Sequence, residues 1–178
     1  MLLKDKVCVV TGAASLRSIG YATAELFAEH GAKVVVVDLV MGDKVLSDIQ
    51  SAIEQRVQRS VSVQGMRCDI SKAADCDLMV RQVVELHGTV DCLVNSAGIV
   101  KTQSQLDISP NDLDLMLDVN LKGAFYLCQS VLRVFVERRS GNIVNVASLA
   151  AQRGGGLVGG PHYAASKGGI DTLTHGLA

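Results

Sequence analysis

Residues 6–38 read KVCVVTGAASLRSIGYATAELFAEHGAKVVVVD, and the fold turns on how this stretch is parsed. Its β-branched start predicts a strand over residues 6–11, and its apolar spacing then predicts a helix over 21–30. The second strand, 33–38, is a continuous apolar run, the pattern of a strand buried on both faces of a parallel sheet. A turn that carries Gly12 and Gly20 separates the first strand from the helix. Gly12 allows a tight exit from the strand, and Gly20 lets the helix pack closely on the sheet. The free N–H groups and dipole of that helix start suit a pyrophosphate. Asp38 lies 18 residues past Gly20, where an acidic group meets adenosine ribose hydroxyls in dinucleotide sites. Two features resist this reading. Ser18 stands where the middle glycine is expected, and the loop is longer than G-x-G-x-x-G allows. Many strand–helix turns contain glycine, and an Asp at a strand end also serves as a cap or turn former.

Outward from this unit the alternation continues. Further strands are expected over residues 61–68, 90–95 and 142–146, with helices over 43–59 and 72–87. The segment 109–139 reads as two helices meeting near 120–123, opened by the cap SPND. Gly31, Gly88 and Gly141 stand where helices should stop. RGGGLVGGP (153–161) reads as a loop, followed by a last helix from about Tyr163. Strands alternating with helices imply a parallel sheet covered on both faces, and no internal repeat or linker divides the chain, so one domain is expected.

Composition excludes several classes. With 17 basic and 18 acidic residues, the net charge is −1, and there is no electrostatic footprint for nucleic acid. The adjacent Arg138 and Arg139 read as a solvated helix end. No apolar run approaches the roughly 20 residues of a membrane span, and the charged start MLLKDK lacks the apolar core of a signal peptide. Five cysteines without a C-x-x-C pair argue against a disulfide framework or zinc site. A soluble, cytoplasmic protein without metal is expected.

Four later motifs follow in order: NSAG (95–98), DVNLKG (118–123), IVNVAS (143–148) and YAASK (163–167). With this ordered set the sequence resembles the short-chain dehydrogenase/reductase family over nearly its whole length. The resemblance implies a Rossmann-type, doubly wound parallel α/β sheet in three layers. It also implies hydride transfer between NAD(P) and a hydroxyl or carbonyl group of a small alcohol or ketone.

Tyr163 and Lys167 are four residues apart, so a helix places them on one face. A free phenol, with a pKa of about 10, is too weakly acidic for a good base at neutral pH. A neighbouring ammonium favours the phenolate, and so does an oxidised nicotinamide. Tyr163 then accepts the alcohol proton, or donates it in reduction, while Ser148 binds the substrate oxygen. By resemblance Lys167 also binds the nicotinamide ribose, and Asn120 kinks its helix and holds a relay water. Taken singly, Asn120 equally fits a helix break, Ser148 a strand-end cap, and the Tyr–Lys pair a surface helix. His162 reads as a loop or helix-start residue.

Cofactor contacts are expected at Gly12, Arg17, Ser18, Ile19, Gly20, Asp38, Leu39, Asp69, Ile70 and Asn95, besides Tyr163 and Lys167. By resemblance Asp69 and Ile70 lie near the adenine, Asn95 braces the central strands, and Thr11 is structural. The phosphate loop departs from the family pattern by two added residues. It looks like the enoyl-reductase branch, whose longer Tyr-to-Lys spacing is absent here. Arg17 favours NADP and Asp38 favours NAD; the ribose-carboxylate argument selects NAD.

Family members continue past the last helix, so the C-terminal strands are expected to be missing and the sheet edge exposed. Segment 101–107 and the loop between Ser148 and Tyr163 are expected to border the substrate. The apolar texture of GAFYLCQSVLRVFV (123–136) suits a homo-oligomer interface, and the family resemblance points the same way, to a homodimer or homotetramer. Two rival readings are a 3-oxoacyl-[acyl-carrier-protein] reductase-type NADPH enzyme and a dinucleotide-binding or interaction subunit without turnover.

Overall fold

The computed structural model describes residues 1–155 and 158–178. Gly156 and Leu157, inside the expected loop 153–161, lie outside the described residues. Five strands, β1 (Val7–Thr11), β2 (Lys33–Asp38), β3 (Val63–Arg67), β4 (Cys92–Asn95) and β5 (Asn142–Asn145), form one parallel sheet in the order β3-β2-β1-β4-β5. Helices α1 (Ile19–Glu29), α2 (Asp43–Val57), α3 (Ala73–His87), α4 (Pro110–Leu117) and α5 (Gly123–Arg138) connect them, and α6 (Ala150–Arg153) and α7 (Pro161–Leu177) follow β5.

The apolar runs explain the layering. Along β2, Val34 and Val36 join Ile49 and Ile53 of α2 and Ala24 and Ala28 of α1 on one face. Val35 and Val37 point the other way, into a core with Met79 and Val83 of α3 and Leu127 and Val131 of α5. Burying each such side chain contributes about 1.5–3 kcal/mol. The chain needs both layers because the central strands are apolar on both faces. At the β5 edge Val144 is half exposed, the only apolar side chain of that strand left so open.

Several boundaries depart from the sequence reading for local reasons. Helix α1 starts two residues early because Ser18 caps it, its hydroxyl accepting from the Tyr21 N–H at 3.0 Å. Helix α7 likewise starts at Pro161, whose missing N–H costs nothing in the first turn. Gly141 is not the stop of α5. Arg139 takes the left-handed cap (φ 51°), and a Cβ on Gly141 would instead overlap the Phe135 ring. The expected break near 120–123 is a π-helical turn, Asp118–Lys122, which joins α4 to α5 without interrupting the helical path.

Candidate active site

The carboxyl ends of β1, β2 and β4 open onto a cleft of about 540 Å³, within the usual range for small-molecule sites. Its walls include Gly12, Ser18, Ile19, Asp38, Leu39, Asp69, Ile70 and the segment Ser96–Ile99. The phosphate-loop glycines hold this shape. A Cβ on Gly12 (φ +70°) would lie 2.6 Å from the Ala97 Cα, and one on Gly20 would lie 2.5 Å from the Gly12 carbonyl oxygen. Thr11 ties the two sides of the cleft floor, its hydroxyl accepting from the N–H groups of Ser96 (3.2 Å) and Ala97 (3.1 Å).

Asp38 sits at the end of β2, where its carboxylate accepts from the Ala14 N–H at 3.1 Å and the Val40 N–H at 3.3 Å. The acidic group thereby fastens the extended phosphate loop to the neighbouring strand. Asp69 accepts the Ser71 hydroxyl at 2.6 Å and pairs with Lys72 at 3.2 Å. The Ser71 hydroxyl, and then Lys72, hold its carboxyl below the usual range. Arg17 stands apart from the expectation: it is exposed and outside the cleft walls, its N–H directed at the Ser15 hydroxyl at 3.4 Å. Asn95 and Gly20 are also absent from the walls. Asn95 donates from its amide to Asn145 Oδ1 at 2.8 Å and so links β4 to β5.

Beyond Gly98 the second group of residues begins. Asn120 is buried in the π-helical turn, the wider turn giving its amide room to reach inward. Its Oδ1 accepts from the Ile99 N–H at 2.8 Å. Its Nδ2 donates to the Ile99 carbonyl (2.9 Å), the Met116 sulfur (3.1 Å) and the Ser166 hydroxyl (3.1 Å). Ser166 donates in turn to the Tyr163 carbonyl at 2.7 Å, so the turn is bonded to the first part of α7. Lys167 is buried and donates from Nζ to the Val146 carbonyl at 2.7 Å. Burial pushes its pKa down, because the charged form loses hydration. A Cβ on Gly98 would lie 3.0 Å from Asn120 Oδ1 and 3.8 Å from Lys167 Nζ, so this glycine marks where the two side chains converge.

Tyr163 lies on the first turns of α7 with its ring against the backbone of Gly159, where any Cβ would overlap it. The Ser148 hydroxyl accepts from the Ala150 N–H at 3.1 Å and opens the short helix α6, which packs on α7. His162 takes the helix-start place, deeply buried in the first turn of α7. Sequence reasoning missed the bridging role of Ser166, although it stands inside YAASK directly before Lys167.

The family model for the short chain dehydrogenase matches residues 6–178. An uncharacterized short-chain type dehydrogenase/reductase, y4mP, of Sinorhizobium fredii is 38% identical over all of this chain and 69% of its own length. The 3-oxoacyl-[acyl-carrier-protein] reductase FabG of Thermotoga maritima is 35% identical over 98% of this chain and 67% of its own. The crystal structure of an NAD⁺-bound xylitol dehydrogenase superposes with a TM-score of 0.87 at 30% identity, covering 100% of this chain and 65% of that one. The chain belongs to the short-chain dehydrogenase family and has its Rossmann-like fold. It spans about two thirds of the length of these proteins.

Proposed function

We propose that the protein is an NAD-dependent oxidoreductase that interconverts a hydroxyl and a carbonyl group on a small molecule. The observation that carries this reading is the convergence of Asn120 and Lys167 beside Gly98, at the end of the cleft floored by Gly12 and closed by Asp38. In that cleft Gly12, Ser18 and Ile19 would cradle the pyrophosphate, with Gly20 letting the helix start pack against Gly12 and with Asp69 and Ile70 at the adenine end. Asp38 would accept the ribose hydroxyls and repel a 2′-phosphate, which is why NAD is preferred over NADP. A bound nicotinamide would supply the hydride acceptor or donor; every other task falls to the chain.

Tyr163 takes the proton from the substrate hydroxyl in oxidation and returns it in reduction. Lys167, withdrawn from water and held by the Val146 carbonyl, presents its ammonium to the same pocket and favours the phenolate. Ser148 donates a hydrogen bond to the substrate oxygen as its charge develops. Asn120 fixes the strand-end segment at Ile99 against the helix that carries Tyr163.

A 3-oxoacyl thioester is the second substrate class to assay, because the FabG likeness extends over nearly the whole chain. The test is Tyr163→Phe, assayed with NAD⁺ or NADH on xylitol, secondary alcohols and an acetoacetyl thioester. Loss of turnover with unchanged cofactor affinity is expected. Wild type without turnover on this panel overturns the reading in favour of a dinucleotide-binding subunit, and a Tyr163→Phe protein as active as wild type overturns the role given to Tyr163.

A further inference from the structure

We infer that Thr102 is a positioning residue for Tyr163, an inference that rests on the proposed oxidoreductase reading. The stretch just before α7 is bonded to one short segment of the chain, more than fifty residues away in sequence. The Gly159 N–H donates to the Thr102 hydroxyl at 3.2 Å, and the Gly160 N–H donates to the Lys101 carbonyl at 3.0 Å. Gly159 is the residue whose backbone lies against the Tyr163 ring, with no room for a Cβ. Gly160 is equally confined: a Cβ there would lie 2.7 Å from the Gln103 carbonyl and 3.0 Å from the His162 ring. The Gly160 carbonyl then accepts from the Ala164 N–H at 3.1 Å, which closes the turn that contains Tyr163.

The segment that receives these bonds is itself clamped on both sides of Thr102. The Asp112 carboxylate accepts from Lys101 Nζ at 2.6 Å, from Gln103 Nε2 at 3.1 Å and from the Ser109 hydroxyl at 2.9 Å. Lys101, and then Gln103 and Ser109, hold its carboxyl far below the usual range, so the clamp stays charged throughout ordinary pH. Asp112 stands in the first turn of α4, whose Ser109 cap accepts from its N–H. The path therefore runs from a rigid helix start, through a pinned segment, to the backbone that supports the Tyr163 ring. Thr102 is not among the residues that line the cleft, and its hydroxyl accepts from Gly159; its effect on Tyr163 passes through that residue.

Gly159 and Gly160 leave this backbone with wide conformational freedom, so the Thr102 bond has entropy to oppose. Without it the ring loses one of its fixed walls, and misplacement on the scale of 1 Å costs up to about a hundredfold in rate. The chemistry needed at position 102 is an acceptor oxygen of threonine's reach, which serine supplies and valine does not.

The test is a near-ultraviolet phenolate titration of the full chain saturated with NAD⁺, with the Tyr163→Phe protein subtracted so that only Tyr163 is read. Thr102→Val should raise the Tyr163 midpoint by about one pH unit, a tenfold change in ionisation. Asp112→Asn should raise it in the same direction, and Thr102→Ser should leave it at the wild-type value. On any probe turned over by wild type, Thr102→Val should lower kcat about tenfold with the KM for NAD⁺ unchanged. A Thr102→Val midpoint equal to wild type overturns the inference while leaving the oxidoreductase reading intact. A Thr102→Ser midpoint displaced as far as that of Thr102→Val also overturns it. The oxidoreductase reading fails separately, when wild type turns over none of the alcohols, ketones or thioesters assayed.

Discussion

The Asn120 amide donates to the Ser166 hydroxyl at 3.1 Å, and through that contact the π-helical turn Asp118–Lys122 meets the helix that carries Tyr163 and Lys167. The same amide group is bonded through both its atoms to the backbone of Ile99. One side chain thus joins three separate stretches of chain at the inner end of the cleft.

Asn120→Ala should therefore be costly in two measurements. It removes both hydrogen bonds between the buried Asn120 amide and the more exposed backbone of Ile99, a loss of about 0.5–1.5 kcal/mol for each bond. Urea unfolding should show that loss. Turnover should fall further than stability alone explains, since the folded variant still lacks the tie to Ser166.

The phosphate-loop glycines should tolerate no side chain. Gly20→Ala places a methyl 2.5 Å from the Gly12 carbonyl, so the loop must shift and NAD affinity should fall at least about tenfold. Gly168→Ala is the matched control, because a Cβ there meets nothing within 4 Å. It should raise stability by up to about 1 kcal/mol through helix propensity. Titration calorimetry with NAD⁺ and thermal unfolding separate the two outcomes.

Cofactor preference should follow Asp38. Asp38→Asn removes the charge that repels a 2′-phosphate, so the NAD-to-NADP affinity ratio should fall about tenfold or more. Arg17→Ala should change that ratio little, since Arg17 lies outside the cleft walls. Thermal stabilisation by each cofactor at equal concentration reads both effects. A larger shift of wild type with NADP than with NAD would reverse the assignment.

Lys167 predicts a pH dependence with a definite sign. Burial depresses its folded pKa below the ordinary value of 10.5, so between the two values the unfolded chain holds more protons. Stability contributed by this group is then complete above 10.5 and falls as pH drops through the folded value. The difference in unfolding free energy between wild type and Lys167→Met should rise with pH across that window. A flat difference would mean that the ammonium is not desolvated.

What the sequence disclosed depended on range. The run KVVVVD announced β2 because a doubly buried strand needs no information beyond its own residues. Asn120 announced a disturbance in a long helix, but not the partners Ile99 and Ser166, which lie 21 and 46 residues away. The early start of α1 is hidden in the sequence because Ser18 occupies the place of the loop's middle glycine while serving as the helix cap. Arg139 escaped because a left-handed arginine is set by the packing of Gly141 beneath Phe135. The Val146 carbonyl that holds Lys167 carries no side-chain signal at all.

Strand β1 lies in the middle of the sheet, with β2 on one flank and β4 on the other. On the ribosome, β1 precedes the other strands of this sheet and finds its second neighbour only after Cys92–Asn95 has left the exit tunnel. At ordinary elongation rates of about 5–20 residues per second, that flank waits several seconds unpaired. Nascent chains therefore pass through a stage with an open parallel edge, and chaperone contact during translation should concentrate there.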